Sequence, residues 1–250
     1  MIFETHAHYD DEKFKNDQDE TIKRVHDSGV DPIINVGASI GSTKTTLALA
    51  DKYDFIYAAV GVHPSDISGL NEETFDWLKK QTMLEKTVAV GEIGLDHHWP
   101  VPRQEQYDLF EAQLQLAKEL DLPVSVHDRE AHAEMYELLR KYKPRGALHC
   151  YSGSADDAAW LVAQGMYLGF GGAVTYKGAK RAAKVLAAIP HEMALLETDC
   201  PYMAPEPVRR TRNDSRNIAH VAAYIGTLWE MDAQAVLDVT AANARRCFGV

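Results

Sequence analysis

The chain has 250 residues, of which 46% are hydrophobic and 25% charged, and its net charge is −11. That composition suits a soluble globular protein with a sizeable core, argues against a protein that coats nucleic acid through a broad basic face, and offers no run of about 18 apolar residues to span a membrane. Cys150, Cys200 and Cys247 follow no Cys-x-x-Cys spacing, and no basic stretch leads into an apolar one at the start, so a reduced, cytoplasmic chain without a cleaved signal is expected.

Short apolar runs alternate with helical patterns from end to end, the signature of an α/β fold with a parallel sheet. The expected strands are Ile2–His6, Pro32–Val36, Phe55–Val60, Thr87–Glu92, Pro123–His127, Gly146–Cys150, Tyr167–Phe170 and Ala194–Asp199. Helices are expected over Asp17–Asp27, Thr43–Lys52, Glu72–Gln81, Glu105–Leu120, Ala131–Tyr142, Ala155–Gln164, Ala179–Ala188, Arg216–Glu230 and Ala233–Arg246. Ser42, Asn71, Ser154 and Asp232 precede helical patterns as caps; Gly29, Gly146 and Gly165 fall where a helix gives way to a strand. With no internal repeat and no linker, one domain over residues 1–250 is expected. Eight β-then-α units in this length fit a (β/α)8 TIM-type barrel, whose active-site groups come from the C-terminal strand ends.

Polar residues collect at those ends. His6 and His8 are two apart, so on a strand they share a face. Glu92 ends the fourth strand, His127 the fifth, His149 the sixth and Asp199 the eighth, while the turn after the third carries His63. Four imidazoles and two carboxylates exceed what one tetrahedral ion needs and suit two divalent ions about 3.5–4 Å apart with a carboxylate between them. Histidine-rich ligation favours Zn, Mn, Fe or Co over Mg, which prefers oxygen donors. Such a centre polarises a substrate and activates water, and Asp199 is placed to take the water's proton. Cys150, one residue past His149, points to the other face as a small filler.

The motifs Thr5-His6-Ala7-His8, Gly61-Val62-His63-Pro64, Gly91-Glu92-Ile93-Gly94-Leu95-Asp96, Leu122–Arg129, His149–Gly153, Leu195–Tyr202 and Asn243–Phe248 run the length of the chain. In them the chain resembles the TatD-type metal-dependent deoxyribonucleases, a branch of the metallo-dependent hydrolase superfamily. The resemblance implies hydrolysis of DNA phosphodiesters, often from the 3′ end of single strands. It also implies that His6, His8, Glu92 and Asp199 hold one ion, and that Glu92 bridges to a second held by His127 and His149. His63 would contact substrate phosphate or support a ligand. Two segments depart from the family pattern. His97-His98-Trp99 follows Asp96 where aromatic residues are common, and the loop Arg209–Ser215 keeps Arg212 and Asn213 but lacks the family's glycine and final proline.

Three functions compete. A nuclease is supported by Arg129, Lys177, Arg209, Arg210, Arg212 and Arg216 near the expected rim, since arginines pair with phosphate, and by Trp99, Tyr151 and Tyr202 as surfaces for base stacking. A small-molecule amidohydrolase or lactonase would use the same chemistry; it resembles enzymes that bridge their ions with a modified lysine at the fourth strand, where this chain has Glu92. A non-enzymatic metal-binding protein would need a missing ligand, and none is missing. Single-stranded DNA is the expected substrate, and nothing calls for a membrane or an obligate protein partner.

Overall fold

The predicted alternation folds as eight strands interleaved with helices in a computed structural model that describes residues 1–68 and 70–250. The strands are β1 (Ile2–Ala7), β2 (Val30–Val36), β3 (Ile56–Val60), β4 (Thr87–Asp96), β5 (Val124–Arg129), β6 (Gly146–Leu148), β7 (Met166–Phe170) and β8 (Ala194–Leu196). The helices are α1 (Gln18–Asp27), α2 (Ile40–Lys52), α3 (Glu72–Gln81), α4 (Arg103–Glu119), α5 (His132–Tyr142), α6 (Ala155–Ala163), α7 (Lys180–Ala188), α8 (Ile218–Trp229) and α9 (Ala233–Phe248).

Strand order in the sheet follows chain order, and every neighbouring pair is parallel. The last gap is closed by single bonds rather than a ladder. Thr5 Oγ1 donates to Leu196 O (3.0 Å), Asp199 N–H to His6 O (2.9 Å) and His8 N–H to Cys200 O (2.8 Å). The result is the expected (β/α)8 barrel, and its seam runs through residues foreseen as ligands.

Helix α4 illustrates how the outer layer is specified. Gln106, Leu109, Phe110, Gln113, Leu114 and Ala117 are buried at 3–4 residue spacing, the stripe that lets one face cover the sheet. Phe110 and Leu114 pack in one core with Val90, Ile93, Val124 and Val126. The two glutamines on that stripe are not misplaced. Gln106 accepts from Asp96 N–H (2.8 Å) and donates to Asp96 O (2.9 Å), while Gln113 does the same for Val62 at 2.8 and 3.0 Å. Both hold backbone near the C-terminal end of the barrel, each pairing an N–H and a C=O of one residue.

Three expectations shift. β4 continues four residues past Glu92 to Asp96, whereas β6 and β8 stop at Leu148 and Leu196. The short strands end because the chain turns: Cys150 and Asp199 have φ of 45° and 57°, the Cys150 N–H goes to the Glu197 side chain, and the Asp199 N–H makes one isolated bond to His6 O of β1. Asp199 therefore sits on a loop, not on a strand. Ser42 is not the cap of α2; Ser39 is, with Ser42 completing a capping box three residues on. Asn71, Ser154 and Asp232 cap as expected.

The extension of β4 depends on Gly94, whose φ is 145° and where a Cβ would lie 2.0 Å from His127 O. Gly94→Ala is expected to cost roughly 2–4 kcal/mol, through a disallowed φ and a backbone clash. Thermal melting should then move down by roughly 5–15 °C. An unchanged melting temperature would mean that β4 and β5 do not approach as described. No helix among the described residues is long and apolar enough to cross a membrane, and all three cysteines are unpaired.

Candidate metal centre

The six expected ligands converge at the C-terminal mouth of the barrel, around the carboxylate of Glu92. Its two oxygens face different histidines. Oε2 lies 3.8 Å from His6 Nε2 and 3.6 Å from His8 Nε2. Oε1 lies 3.0 Å from His127 Nδ1 and 2.8 Å from His149 Nε2. Asp199 Oδ1 completes the first group, 3.4 Å from His8 Nε2 and 4.0 Å from His6 Nε2. His6 stacks on His149, with ring centroids 3.9 Å apart.

The outward-facing ring nitrogens show what the inward ones are for. His8 Nδ1 donates to Val36 O at 2.8 Å, and His127 Nε2 donates to Asp96 Oδ2 at 3.1 Å. A proton held outward leaves a bare lone pair pointing into the centre, the tautomer a metal requires. His6 Nδ1 meets Ser125 Oγ at 3.1 Å. Ligand atoms of His6, His149 and Asp199 lie within 4.8 Å of one another, as do those of His6, His8 and Glu92. Nitrogen and carboxylate oxygen at this spacing fit a divalent transition ion.

His63 is different. It too falls within 4.8 Å of Glu92 and His127 atoms, but Ser65 N–H donates to its Nδ1 at 3.1 Å. That places the neutral ring's proton on Nε2, 3.8 Å from Glu92 Oε1. His63 is thus set to donate a hydrogen bond rather than a lone pair.

The charges of the site are divided. Burial pushes Glu92 up, but its electrostatic interactions with His63 and His149 and the hydrogen bonds of His127 and His149 hold it well below the usual carboxylate range. Burial also opposes ionisation of Asp199, and the His8 hydrogen bond outweighs it, so that carboxyl too is lowered. His6 and His63 are pushed down to about 4, chiefly by burial. In His8 and His127 burial is overcome by the hydrogen bonds of Asp199 and Asp96 and by the Glu92 charge, and they rise to about 10 and about 9.

In the metal-free chain these two imidazoles therefore carry protons at neutral pH. Their pairing contributes stability that is complete below about pH 6.5 and is lost as pH rises through about 9 to 10. A metal must displace both protons. Loading at pH 7 is expected to release about two protons per chain and to weaken steeply on acidification. Calorimetric titration in buffers of different ionisation enthalpy measures the number; zero release would mean that His8 and His127 are not both protonated in the metal-free chain and ligands in the loaded one.

Behind the ligands lies a buried polar layer that the sequence reading passed over. Glu4 Oε1 accepts from His6 N–H and Thr198 N–H, both at 3.0 Å, and its Oε2 accepts from Thr198 Oγ1 at 2.5 Å. Burial, against those hydrogen bonds, raises its carboxyl to about 7. Glu197 accepts from Cys150 N–H at 2.5 Å and fills the space beside Gly169, where a Cβ would lie 2.2 Å from Oε2. The signal was available. Glu4, Ser125 and Glu197 each stand two residues before a ligand, and Asp96 stands four after Glu92, positions that share a face along a strand.

The site opens into a cavity of about 630 Å³ lined by His8, His63, Glu92, His127, His149 and Asp199, with Arg129, Trp99 and Tyr202 also in its wall. Arg212 and Asn213 are not in that wall. Arg212 is spent on a bidentate pair with Asp17 (2.7 and 2.5 Å) and a bond to Lys13 O (2.7 Å). Asn213 is fully buried, donating to Thr198 O at 3.0 Å and Tyr202 O at 2.7 Å. Arg216 pairs with Asp214, and Arg209 lies over Tyr176 and near Glu206. Tyr151 is buried and donates to Ser154 O, so it offers no stacking face. His97 donates its N–H to Arg129 O, and His98 stands near Glu130.

A barrel with such a group of donors at its mouth is the arrangement of a metal-dependent hydrolase. The family model described as TatD related DNase matches residues 3–249. The chain belongs to that family. It is 38% identical to an uncharacterized metal-dependent hydrolase, YabD, of Bacillus subtilis, over the whole of both chains. It is 32% identical to the 3′-5′ ssDNA/RNA exonuclease TatD of Citrobacter koseri, covering 100% of this chain and 99% of that one. Among solved structures, Escherichia coli YjjV, a TatD homologue, superposes with a TM-score of 0.93 at 32% identity, covering 100% of this chain and 98% of that one.

Proposed function

We propose that the chain is a cytoplasmic nuclease, one domain throughout, that hydrolyses phosphodiester bonds of single-stranded DNA with two divalent cations. The observation that carries this is the division of Glu92: one oxygen addresses His6 and His8, the other His127 and His149. A carboxylate so placed would hold a cation with each oxygen, and Asp199 would complete the first group. Relatives named exonuclease, aligned over nearly their full length, support the substrate class.

Bound cations there, of which Zn, Mn, Co or Fe suit the donors better than Mg, supply Lewis-acid polarisation and lower the pKa of water. The rest is the work of this chain. Asp199, ionised and at the open edge, accepts the proton of the attacking water. His63, with its Nε2–H facing the cavity, donates to a phosphoryl oxygen on which charge develops. Arg129 on the cavity wall pairs with a substrate phosphate. Arg212 and Asn213 serve substrate binding indirectly, by shaping the loop that bears Asp199 and Tyr202.

A substrate panel tests the assignment. Metal-loaded enzyme is offered single-stranded DNA, duplex DNA, RNA, lactones and N-acyl compounds. Preferential cleavage of single strands is expected; turnover of lactones or N-acyl compounds without nuclease activity would transfer the site to the amidohydrolase class.

A further inference from the structure

The cavity is an unwelcoming place for a polyanion. Besides the metal ligands its wall carries Asp10, Asp11, Glu12 and Asp66, against one arginine, Arg129. Bound cations offset that charge only near the reacting phosphate, and the remainder of a nucleotide must be held by something that is not negative. Of the large apolar side chains left exposed among the described residues, Trp99 (49%) and Tyr202 (44%) are the two in this wall. They follow β4 and β8, which stand four strands apart in a ring of eight and so face each other across the mouth.

Tyr202 is also held unusually firmly for an exposed ring. Its OH donates to Asp11 Oδ2 at 2.6 Å. The Lys13 ammonium lies 4.0 Å from the ring centroid. Its N–H donates to Asp199 O at 2.9 Å, and its C=O accepts from Asn213 at 2.7 Å. Arg212 in turn anchors the Lys13 backbone. Lys13 covers one face of the ring, and the ring lines the cavity three residues beyond Asp199. A flat surface immobilised before the substrate arrives gives stacking without the loss of side-chain freedom that usually opposes it.

We propose that Tyr202 is a fixed stacking platform for an unpaired nucleobase beside the scissile phosphodiester, with Trp99 contacting the strand from the opposite rim. The inference rests on the nuclease assignment and extends it: the enzyme recognises single strands through a ring that a base can reach only when it is free of its own helix. It also gives the Arg212–Asn213 loop its purpose, the support of that ring.

The test uses the full metal-loaded chain and a single-stranded DNA 12-mer, unmodified or with one tetrahydrofuran abasic residue at each of the first four positions from the attacked end. For the unaltered enzyme, kcat/KM should fall about tenfold or more at one of these positions, the scale of one lost base–aromatic stack. Tyr202→Ala should lose a similar factor on the unmodified oligonucleotide and no longer respond to the abasic residue at that position. Tyr202→Leu, which keeps the bulk without the aromatic face, should behave like Tyr202→Ala, and Tyr202→Phe should retain most of the abasic penalty. An equal abasic penalty in all four proteins, or none at any position in the unaltered enzyme, overturns the platform. Failure of the unaltered enzyme to cut the unmodified oligonucleotide overturns the nuclease assignment itself, and the two results are read from separate lanes.

Discussion

Glu92→Gln is expected to lower kcat/KM by roughly 10³-fold or more, the equivalent of about 4 kcal/mol of transition-state stabilisation. Glutamine preserves shape and volume but presents one weakly basic oxygen and an NH₂ group that repels a cation. Because one oxygen of Glu92 faces His6 and His8 and the other His127 and His149, the change disturbs both halves of the centre at once. Metal content measured by elemental analysis should fall with activity. The native fold should survive, since the carboxylate meets histidines and not the barrel's hydrogen-bond ladder. Activity within tenfold of the unaltered enzyme would show that the bridge is elsewhere.

Asp199→Asn is expected to behave differently. Asp199 lies at the open edge, its side chain 20% exposed, and meets His8 at 3.4 Å. Removing a general base typically costs 10²–10⁴-fold. Here kcat should fall by about 10³-fold while much of the bound metal remains, because His6, His8 and Glu92 still converge. The asparagine can accept hydrogen bonds but cannot hold the water's proton. Loss of metal in proportion to activity would make Asp199 a ligand and nothing more. The contrast between these two variants separates holding the cations from moving the proton.

The barrel was legible because its physics is repetitive. Eight apolar runs alternating with amphipathic segments admit few topologies, and short βα connections force the strands to be parallel. The cluster of candidate ligands was legible because chemistry-bearing residues at the ends of apolar runs have few other uses. What escaped was set by geometry that periodicity does not encode. The expected fourth strand stops at Glu92, whereas Gly94 lets β4 run on beside His127. Asp96, the partner of His127, was lost with that extension. The expected eighth strand reaches Asp199, because Glu197, Thr198 and Asp199 follow an apolar run, whereas β8 ends at Leu196. In the fold Glu4 and Asn213 capture both backbone groups of Thr198 and turn the chain there.

The arginine loop shows the opposite failure. Arg212 and Asn213 matched a family pattern and were expected at the substrate, yet a sequence cannot reveal that Asp17, almost two hundred residues earlier, stands ready to pair with the arginine. A cation near a rim in the chain is a phosphate contact only if nothing else in the fold has claimed it. Arg129 lines the cavity, and no such claim on its side chain is found among the described residues.

Reconstitution of the metal-stripped chain tests the central claim most directly. Protein loaded separately with Mn, Co, Zn or Mg is assayed on single-stranded DNA labelled at either end, beside Glu92→Gln and Asp199→Asn. Cation-dependent shortening from the 3′ end, absent from the stripped protein and from both variants, is the predicted result. Full occupancy of the centre with no cleavage of any strand would contradict it.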